Sequence, residues 1–400
     1  MDLKSGRPFW PIKNGPLGHY FPLDQDVDCE VAIVGAGVTG ALVAYYLTKE
    51  GIHTIIVDRR EVGTGSTSAT TGLLQYEVDT PLFELMGRVG ETKAVRSYHL
   101  CLEAIYGIEQ LVHELGDACD FERKESLYLA SCRSDVETLQ REYGVRTRIG
   151  IRLELLGREA LRESFQLDYP AALLSSDGGQ IDAYRLTHAL LRAASKSGLQ
   201  VYDQTEISNH RAGKNGAELV TKQRKRIRAR KIVFANGYEI PAGLRKDIVQ
   251  LKSTYALAST PCERLPAKLT QCLIWETARP YFYMRTTQDG RVLIGGEDDD
   301  FDNPKRRDAR VPRKSKKLVK RFETMFPEVD LTVDSSWAGT FGETQDGLAY
   351  IGETEKCPHS YFALGYGGNG ITYSLIAAQI IRELYTGRPN PNAEVFGFDR

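Results

Sequence analysis

No stretch of the 400-residue chain approaches the roughly eighteen consecutive apolar residues that a membrane-spanning helix needs. The opening residues, MDLKSGRPFWPIKNG, hold no uninterrupted apolar core, so no secretory signal peptide is expected. Cysteine is scarce: its seven residues are odd in number, scattered, and never spaced C-x-x-C. That argues against a disulfide framework or a zinc site and suits reduced thiols in a cytoplasmic protein. Neither sign of charge is in excess, the formal net charge being −1, so bulk attraction to nucleic acid or an anionic membrane is not expected. Internal repeats and low-complexity tracts are missing too. The length suits two or three domains, and 42% hydrophobic against 26% charged residues is the balance of a soluble globular enzyme.

The most informative segment is residues 29–72, CEVAIVGAGVTGALVAYYLTKEGIHTIIVDRREVGTGSTSATTG. It reads as strand, glycine turn, helix, strand, acid, then a run of small residues. Gly35, Gly37 and Gly40 stand at G-x-G-x-x-G spacing directly after the apolar strand Val31–Val34. The first glycine allows a tight turn, the second lets a pyrophosphate approach the backbone, and the third brings the helix close to the strand. Val38 and Thr39 open that helix, whose N-terminus favours phosphate. Asp58 ends the second strand, His53–Val57, where a carboxylate can take ribose hydroxyls, and Arg59 follows it. This whole context, rather than the glycines alone, points to a dinucleotide containing ADP. An NAD(P) dehydrogenase would place Arg59 and Arg60 on a 2′-phosphate.

Residues 1–26, rich in Pro, Gly and aromatics, read as an extended arm on the surface. From Pro81 to about Gly116 apolar residues keep helical spacing, which predicts one long helical segment. Short strands follow at Ser126–Ala130 and Arg152–Leu156 with a helix between them. A helix begins near Asp182 and leads into the strand Gln200–Asp203. Residues 216–235 read as a hairpin, and KIVFANG returns the chain to the nucleotide unit. Residues 250–300 alternate and turn like an antiparallel sheet. The fold expected is α/β plus α+β: a Rossmann-like domain, discontinuous in sequence, and a second domain on a mixed or antiparallel sheet. The boundaries expected are 1–26 for the arm, 27–80, 176–245 and 335–400 for the dinucleotide domain, and 81–175 and 246–334 for the substrate domain.

Two glycine-rich tracts extend the ligand. Gly63–Gly72 (GTGSTSATTG) offers only small residues, whose backbone N–H groups and hydroxyls can line an extended phosphate-bearing molecule. Gly365–Gly370 (GYGGNG) opens a closing helix whose N-terminus is electropositive. A reduced flavin carries negative charge around N1 and O2, which such a helix start favours. The pairing of the two tracts at opposite ends of the chain suggests a flavin rather than a nicotinamide.

The pieces VAIVGAGVTG, IIVDRREVGTGSTSATTG, GGQIDAYRLTHAL, KIVFANGY, YFYMRTTQDGRVLIGGED, TQDGLAYIG and YFALGYGGNGIT resemble the D-amino acid oxidase-like superfamily of FAD-dependent oxidoreductases, which includes glycine, sarcosine and gamma-glutamylputrescine oxidases. They run from 31 to 373 in the family's order. The resemblance implies FAD, a discontinuous FAD domain, and oxidation of an amine C–N bond by hydride transfer to flavin N5, the imine then hydrolysing. Carried onto this chain, the cofactor residues beyond the first motif are Ser66, Thr67, Ser68, Gly72 and Leu73, with Ile207 flanking the adenine. Ala235, Gly237, Asp346, Gly367, Gly368, Asn369, Gly370, Ile371 and Thr372 complete the set.

Departures from the family pattern carry information. Ser68 and Ala69 stand where some members attach FAD through histidine, and Trp337–Glu343 holds no cysteine, so FAD is expected to be non-covalent. Phe341 stands at about the place of an arginine that clamps the substrate carboxylate, which lowers the case for a plain alpha-amino acid. Leu293, or Arg291 if the alignment slips, stands where sarcosine oxidase-like members carry a lysine over the flavin. A slow reaction with oxygen and another electron acceptor would follow.

Tyr281, Tyr283 and Arg285 share one face of a predicted strand and are the candidate catalytic residues. Aromatic walls and one cation would suit an amine or amino acid derivative, and Arg285 could replace the missing clamp. Trp275 and Tyr255 are weaker candidates, and His99 and His188 read as structural. The basic runs 305–321 and 222–231 read as a solvated helix and an exposed strand face rather than nucleic-acid contacts. Glu297–Asp300 has no histidine or ligand spacing, so no metal is expected. The function expected is an FAD-dependent oxidoreductase of a small-molecule amine. The alternatives are a flavin dehydrogenase feeding a quinone or carrier protein, and a flavoprotein that mainly binds a partner. Neither the oligomeric state nor the acceptor is legible.

Overall fold

A computed structural model describes residues 2–241, 244 and 248–400. The strands form two sheets. The first has the order 350–353, 360–364, 226–237, 27–34, 54–57, 200–202, with a meander of 207–212 and 217–221 attached to the strand Arg226–Gly237. Its four central strands run parallel, and the helices Val38–Lys49, Ala183–Lys196 and Gly370–Tyr385 cover one face. Burial on both sides explains why these strands are continuous apolar runs.

The second sheet has ten strands and mixed direction. Its longest pairing joins Val249–Ser259 to Val333–Thr344 antiparallel, and Cys272–Glu276 runs parallel to Glu122–Leu129. The helix Val311–Met325 packs Leu318 and Phe322 over Leu257, Phe282 and Ile294 on one face.

Several expectations need correction. Residues 2–14 are no surface arm: Lys4–Gly6 pairs antiparallel with Trp337–Gly339, and Trp10 on the helix Phe9–Asn14 is 0% exposed. Phe9 and Trp10 fill a cluster with Trp337, Tyr184 and Leu293, whereas Phe21, further along the segment, is exposed. The long helical segment is two helices, Leu82–Val89 and Glu91–Leu115, separated at Gly90. Leu73–Leu74, Ala171–Gln180 and Val333–Thr344 all pair in the second sheet, which moves the expected boundaries at 80, 176 and 335. Sheet membership depends on the partner strand, and a strand's own sequence does not name it. The boundary at 245/246 lies outside the described residues.

The basic runs are matched by acids. Arg226, Arg228 and Arg230 pair with Asp26, Asp28 and Glu30 on the neighbouring strand, a cross-strand arrangement set by register. Arg310 and Lys314 reach Asp299, and Lys317 reaches Glu297. No described helix is long and apolar enough to cross a membrane.

Candidate functional site

The turn after the strand Val27–Val34 builds the first half of the site. Gly35 has φ of +109°, and a Cβ there would lie 2.4 Å from the Ala235 carbonyl oxygen. A Cβ on Gly40 would lie 1.9 Å from the Gly35 carbonyl oxygen, so Gly40 serves helix–strand packing rather than ligand contact. Asp58 leaves the adjacent parallel strand at the level of this turn. Its Oδ2 accepts from the Ala36 N–H and its Oδ1 from the Arg60 N–H, both at 2.8 Å. Burial raises the carboxyl's pKa, and those two N–H groups oppose the rise.

A groove of about 540 Å³ runs from here across the ends of the parallel strands. Gly35, Gly37, Val38, Thr39, Asp58, Arg59, Ser66 and Thr67 line it, as do Ile207, Ala235, Gly237, Gly368, Gly370 and Ile371. Thr67 fixes its own tract to the motif by accepting from the Val38 N–H at 3.0 Å. Sequence reasoning missed Asn236, Tyr238 and Glu239, although the first lies within the quoted KIVFANG and the other two directly follow it. Glu239 pairs with Arg59 and Arg60 at the groove wall.

Other expected cofactor residues lie behind the wall. Ser68 turns its hydroxyl back to the Gly65 carbonyl at 2.9 Å, and Thr372 does the same to Asn369 at 3.0 Å. Neither lines the groove. Gly72 packs on the Ile181 carbonyl, and an alanine Cβ would come within 2.1 Å of that oxygen. Gly72→Ala is therefore expected to destabilise the fold by about 1–3 kcal/mol through overpacking, measurable by urea unfolding. Asp346 is displaced from the site: it caps its own turn through the Leu348 N–H at 3.0 Å and pairs with Arg400 at 2.5 Å.

A smaller inner cavity of about 180 Å³ continues from Ser66. Its walls include Leu73, Gln75, Trp275, Tyr281, Tyr283 and Phe341, and Gly367 and Asn369 close it. Asn369 fixes the loop that follows Leu73–Leu74, donating to the Gln75 and Glu77 carbonyls at 2.9 and 2.8 Å. The Tyr283 hydroxyl engages Thr71 and Thr254, and burial raises its pKa. Trp275 stacks on Tyr128 with ring centroids 3.7 Å apart. Tyr255, by contrast, bonds Asp299 away from the cavity. His99 meets the Ile149 carbonyl at 3.0 Å, and His188 is buried beside Tyr20 and Tyr184; neither lines groove or cavity.

Arg285 requires correction. It shares the strand face with Tyr281 and Tyr283 but lies past the cavity, 1% exposed. Its Nε donates to the Thr71 carbonyl at 2.6 Å, and its guanidinium lies 5.1 Å from the Trp10 ring centroid. Burial pulls its pKa down to about 10. Strand alternation placed the residue on the right face, but it could not tell how far along the face the cavity extends. Arg285→Met should therefore lower the urea midpoint and leave KM for any substrate unchanged; a raised KM would return Arg285 to the substrate.

A groove across parallel strand ends, opening into an aromatic cavity beside a second sheet, defines the site of a dinucleotide-dependent enzyme. A family profile described as DAO, FAD dependent oxidoreductase, matches residues 30–384, and the chain belongs to this family. It is similar to glycine oxidase of Geobacillus kaustophilus, at 27% identity over 89% of this chain and 92% of that one. It is similar to gamma-glutamylputrescine oxidoreductase of Escherichia coli at 24% identity, over 91% of this chain and 85% of the relative. The crystal structure of the Geobacillus glycine oxidase matches with a TM-score of 0.77 at 24% identity, covering 91% of this chain and 96% of that one, a likeness of fold.

The residues present fit FAD. The Ser66 hydroxyl and the Asn236 Oδ1 belong to residues that line the groove and are buried without a partner among the described residues, as polar atoms of a ligand site would be. The protein is an FAD-dependent oxidoreductase.

Proposed function

We propose that the protein oxidises the C–N bond of an amine or amino acid derivative, giving an imine that hydrolyses. The observation that carries this reading is the inner cavity, which opens from the cofactor groove at Ser66 and is walled by Trp275, Tyr281 and Tyr283. Bound FAD would supply a hydride acceptor at N5. The aromatic faces suit a nitrogen cation and the carbon beside it. The close packing of Tyr283 over Gly295, where a Cβ would fall 2.3 Å from the ring, fixes that wall. The helix Gly370–Tyr385, whose first residues line the groove, offers its N-terminus to negative charge developing in the cofactor.

Two features support non-covalent retention: the tract Ser66–Ala69 contains no histidine and Trp337–Glu343 no cysteine. Acid precipitation is expected to leave all flavin in the supernatant, and flavin in the pellet would refute this. The central test is an anaerobic titration of the holoenzyme with amines and amino acids, read at the flavin band. Bleaching by an amine supports the reading, and a band that no such compound bleaches counts against it. A second reading, transfer of electrons to a quinone or carrier protein, is favoured by Leu293, which is buried against Trp10 and Trp337. Arg291 turns away to Asp289 and Asp334. Slow recovery of the band in air would support this reading, and rapid recovery would support an oxidase.

A further inference from the structure

We propose that the inner cavity is a cation site: it holds the protonated nitrogen of an amine that bears no carboxylate on its reacting carbon, with Asp298 as the counter-ion. This rests on amine oxidation as the reaction and names the class of amine.

The charge of the lining carries the argument. Among the described residues around the cavity stand three carboxylates, Glu77, Asp79 and Asp298, and no lysine, arginine or histidine. Glu77 is 5% exposed. Its Oε1 meets Ser126 at 3.3 Å and Arg146 at 3.4 Å, and its Oε2 has no partner. Arg146 offsets that charge but also serves Glu142 at 2.6 Å. The Asp79 carboxylate accepts the Gly368 N–H at 2.8 Å, and the Asp79 backbone carbonyl accepts the Tyr281 hydroxyl at 3.3 Å. Asp298 engages Thr254, and its Oδ1 is shielded from solvent with no partner. Buried acceptors without donors cost free energy, and a bound ammonium would satisfy them.

Nearby cations are held elsewhere. Lys252 and Arg279 line the outer vestibule but not the inner cavity. Lys252 is engaged by Glu343 at 2.8 Å and Asp300 at 3.5 Å; the Arg279 guanidinium lies over the Tyr281 ring and reaches the Asp79 backbone carbonyl at 3.5 Å, and both cations partly offset the Asp79 charge from outside the cavity. A substrate carboxylate beside the reacting carbon would meet three carboxylates and Phe341, with no cation to receive it. An ammonium would meet the same carboxylates and the faces of Trp275, Tyr281 and Tyr283.

Titration of the groups supports the geometry. Burial pushes the Asp298 carboxyl up to about 7; Asp79 and Glu343 add to the rise, while Thr254 and Lys252 oppose it. Tyr283 also faces Asp298, and its own pKa is raised, so it stays neutral. Asp298 therefore carries its charge above pH about 7, and cation binding should weaken as pH falls through that value.

The test uses the FAD-loaded full chain and reads the flavin absorbance band, so that binding is seen without turnover. Trimethylbutylammonium has a fixed charge and no N–H. It is expected to perturb the band, and Asp298→Asn to weaken its binding about 10- to 100-fold with flavin content unchanged. The pH dependence near 7 should be reduced in the same variant, what remains coming from Glu77 and Asp79, whose carboxyls burial also raises. Butylamine is expected to bind at least about tenfold more tightly than 2-aminopentanoate, which differs only by a carboxylate on that carbon. Phe341→Arg, which sets a guanidinium among the carboxylates, should reverse the preference, and it keeps the test open if Asp298→Asn fails to fold. Equal binding of the two compounds, or unchanged cation binding in Asp298→Asn, would overturn the proposal while amine oxidation could still be seen by bleaching. Cation binding through Asp298 with no amine bleaching the flavin would uphold the site and overturn the oxidation reading.

Discussion

Asp58→Ala is expected to leave the chain folded and to lower its affinity for FAD by about 100-fold, read as flavin lost on gel filtration and as a dissociation constant from fluorescence quenching. The carboxylate stands beside the glycine turn because Thr54–Val57 and Val27–Val34 are parallel neighbours in register, Val57 opposite Val34. The N–H groups of Ala36 and Arg60 fix its orientation, and the carboxylate faces the groove. Hydrogen bonds to a charged acceptor contribute about 1.5–3 kcal/mol each, so losing two ribose contacts amounts to about two orders of magnitude in affinity. Asp58→Asn keeps the shape and one acceptor oxygen, and should fall between alanine and the parent. Full retention of FAD by the alanine variant would place the ribose elsewhere.

Trp10→Ala is expected to destabilise the fold by about 3–5 kcal/mol, the cost of emptying a buried tryptophan site. The ring packs with Phe9, Tyr184, Leu293 and Trp337 at the junction of the two sheets. Its indole N–H donates to the Thr70 carbonyl at 2.6 Å, and that of Trp337 donates to the Ala69 carbonyl at 2.8 Å. Two indoles thus hold consecutive carbonyls of the tract that lines both groove and cavity. Removing one leaves a buried carbonyl unsatisfied, a further cost of about 1–3 kcal/mol. Trp10→Phe retains most of the buried ring and isolates this hydrogen bond. Urea unfolding of the three proteins measures both contributions, and an unchanged midpoint in Trp10→Ala would show that the N-terminal segment does not support the fold.

The glycine turn, Asp58 and the tract after it were legible because each is a local device. Their spacing follows from the geometry of a single strand–turn–helix–strand unit, and the groove runs along it. Ile207, Ala235 and Gly367–Ile371 were reachable through resemblance to a family, since no local rule links residues so far apart. Tyr281 and Tyr283 came from strand alternation, which fixes a face. Arg285 exposed the limit of that rule: a face extends beyond the cavity, and two residues further on the same periodicity leads into the core under Trp10. Asp346 failed for a related reason. Its turn was recognised, but Arg400 at the far end of the chain takes the carboxylate.

Glu77, Asp79 and Asp298 were not read as a cluster, and no sequence signal joins them. Two leave a short loop after Leu73–Leu74, and the third ends Val292–Asp299 in the second sheet. Asp298 sat inside an acidic run weighed as a metal site, and part of that run, Glu297 and Asp299, pairs with the basic helix Val311–Met325. A bulge at Glu297, whose φ is +56°, breaks the pairing register opposite Thr254, and the neighbouring Asp298 engages Thr254 instead of the helix.

By itself the sequence determined the nucleotide fold, the class of cofactor and the mixed second sheet, because periodicity and turn chemistry act within a few residues. Only the tertiary structure decided what the cavity can hold. The charge of a binding site is a sum over side chains from separate strands, and burial, which depends on every element packed around them, sets how strongly that sum is felt.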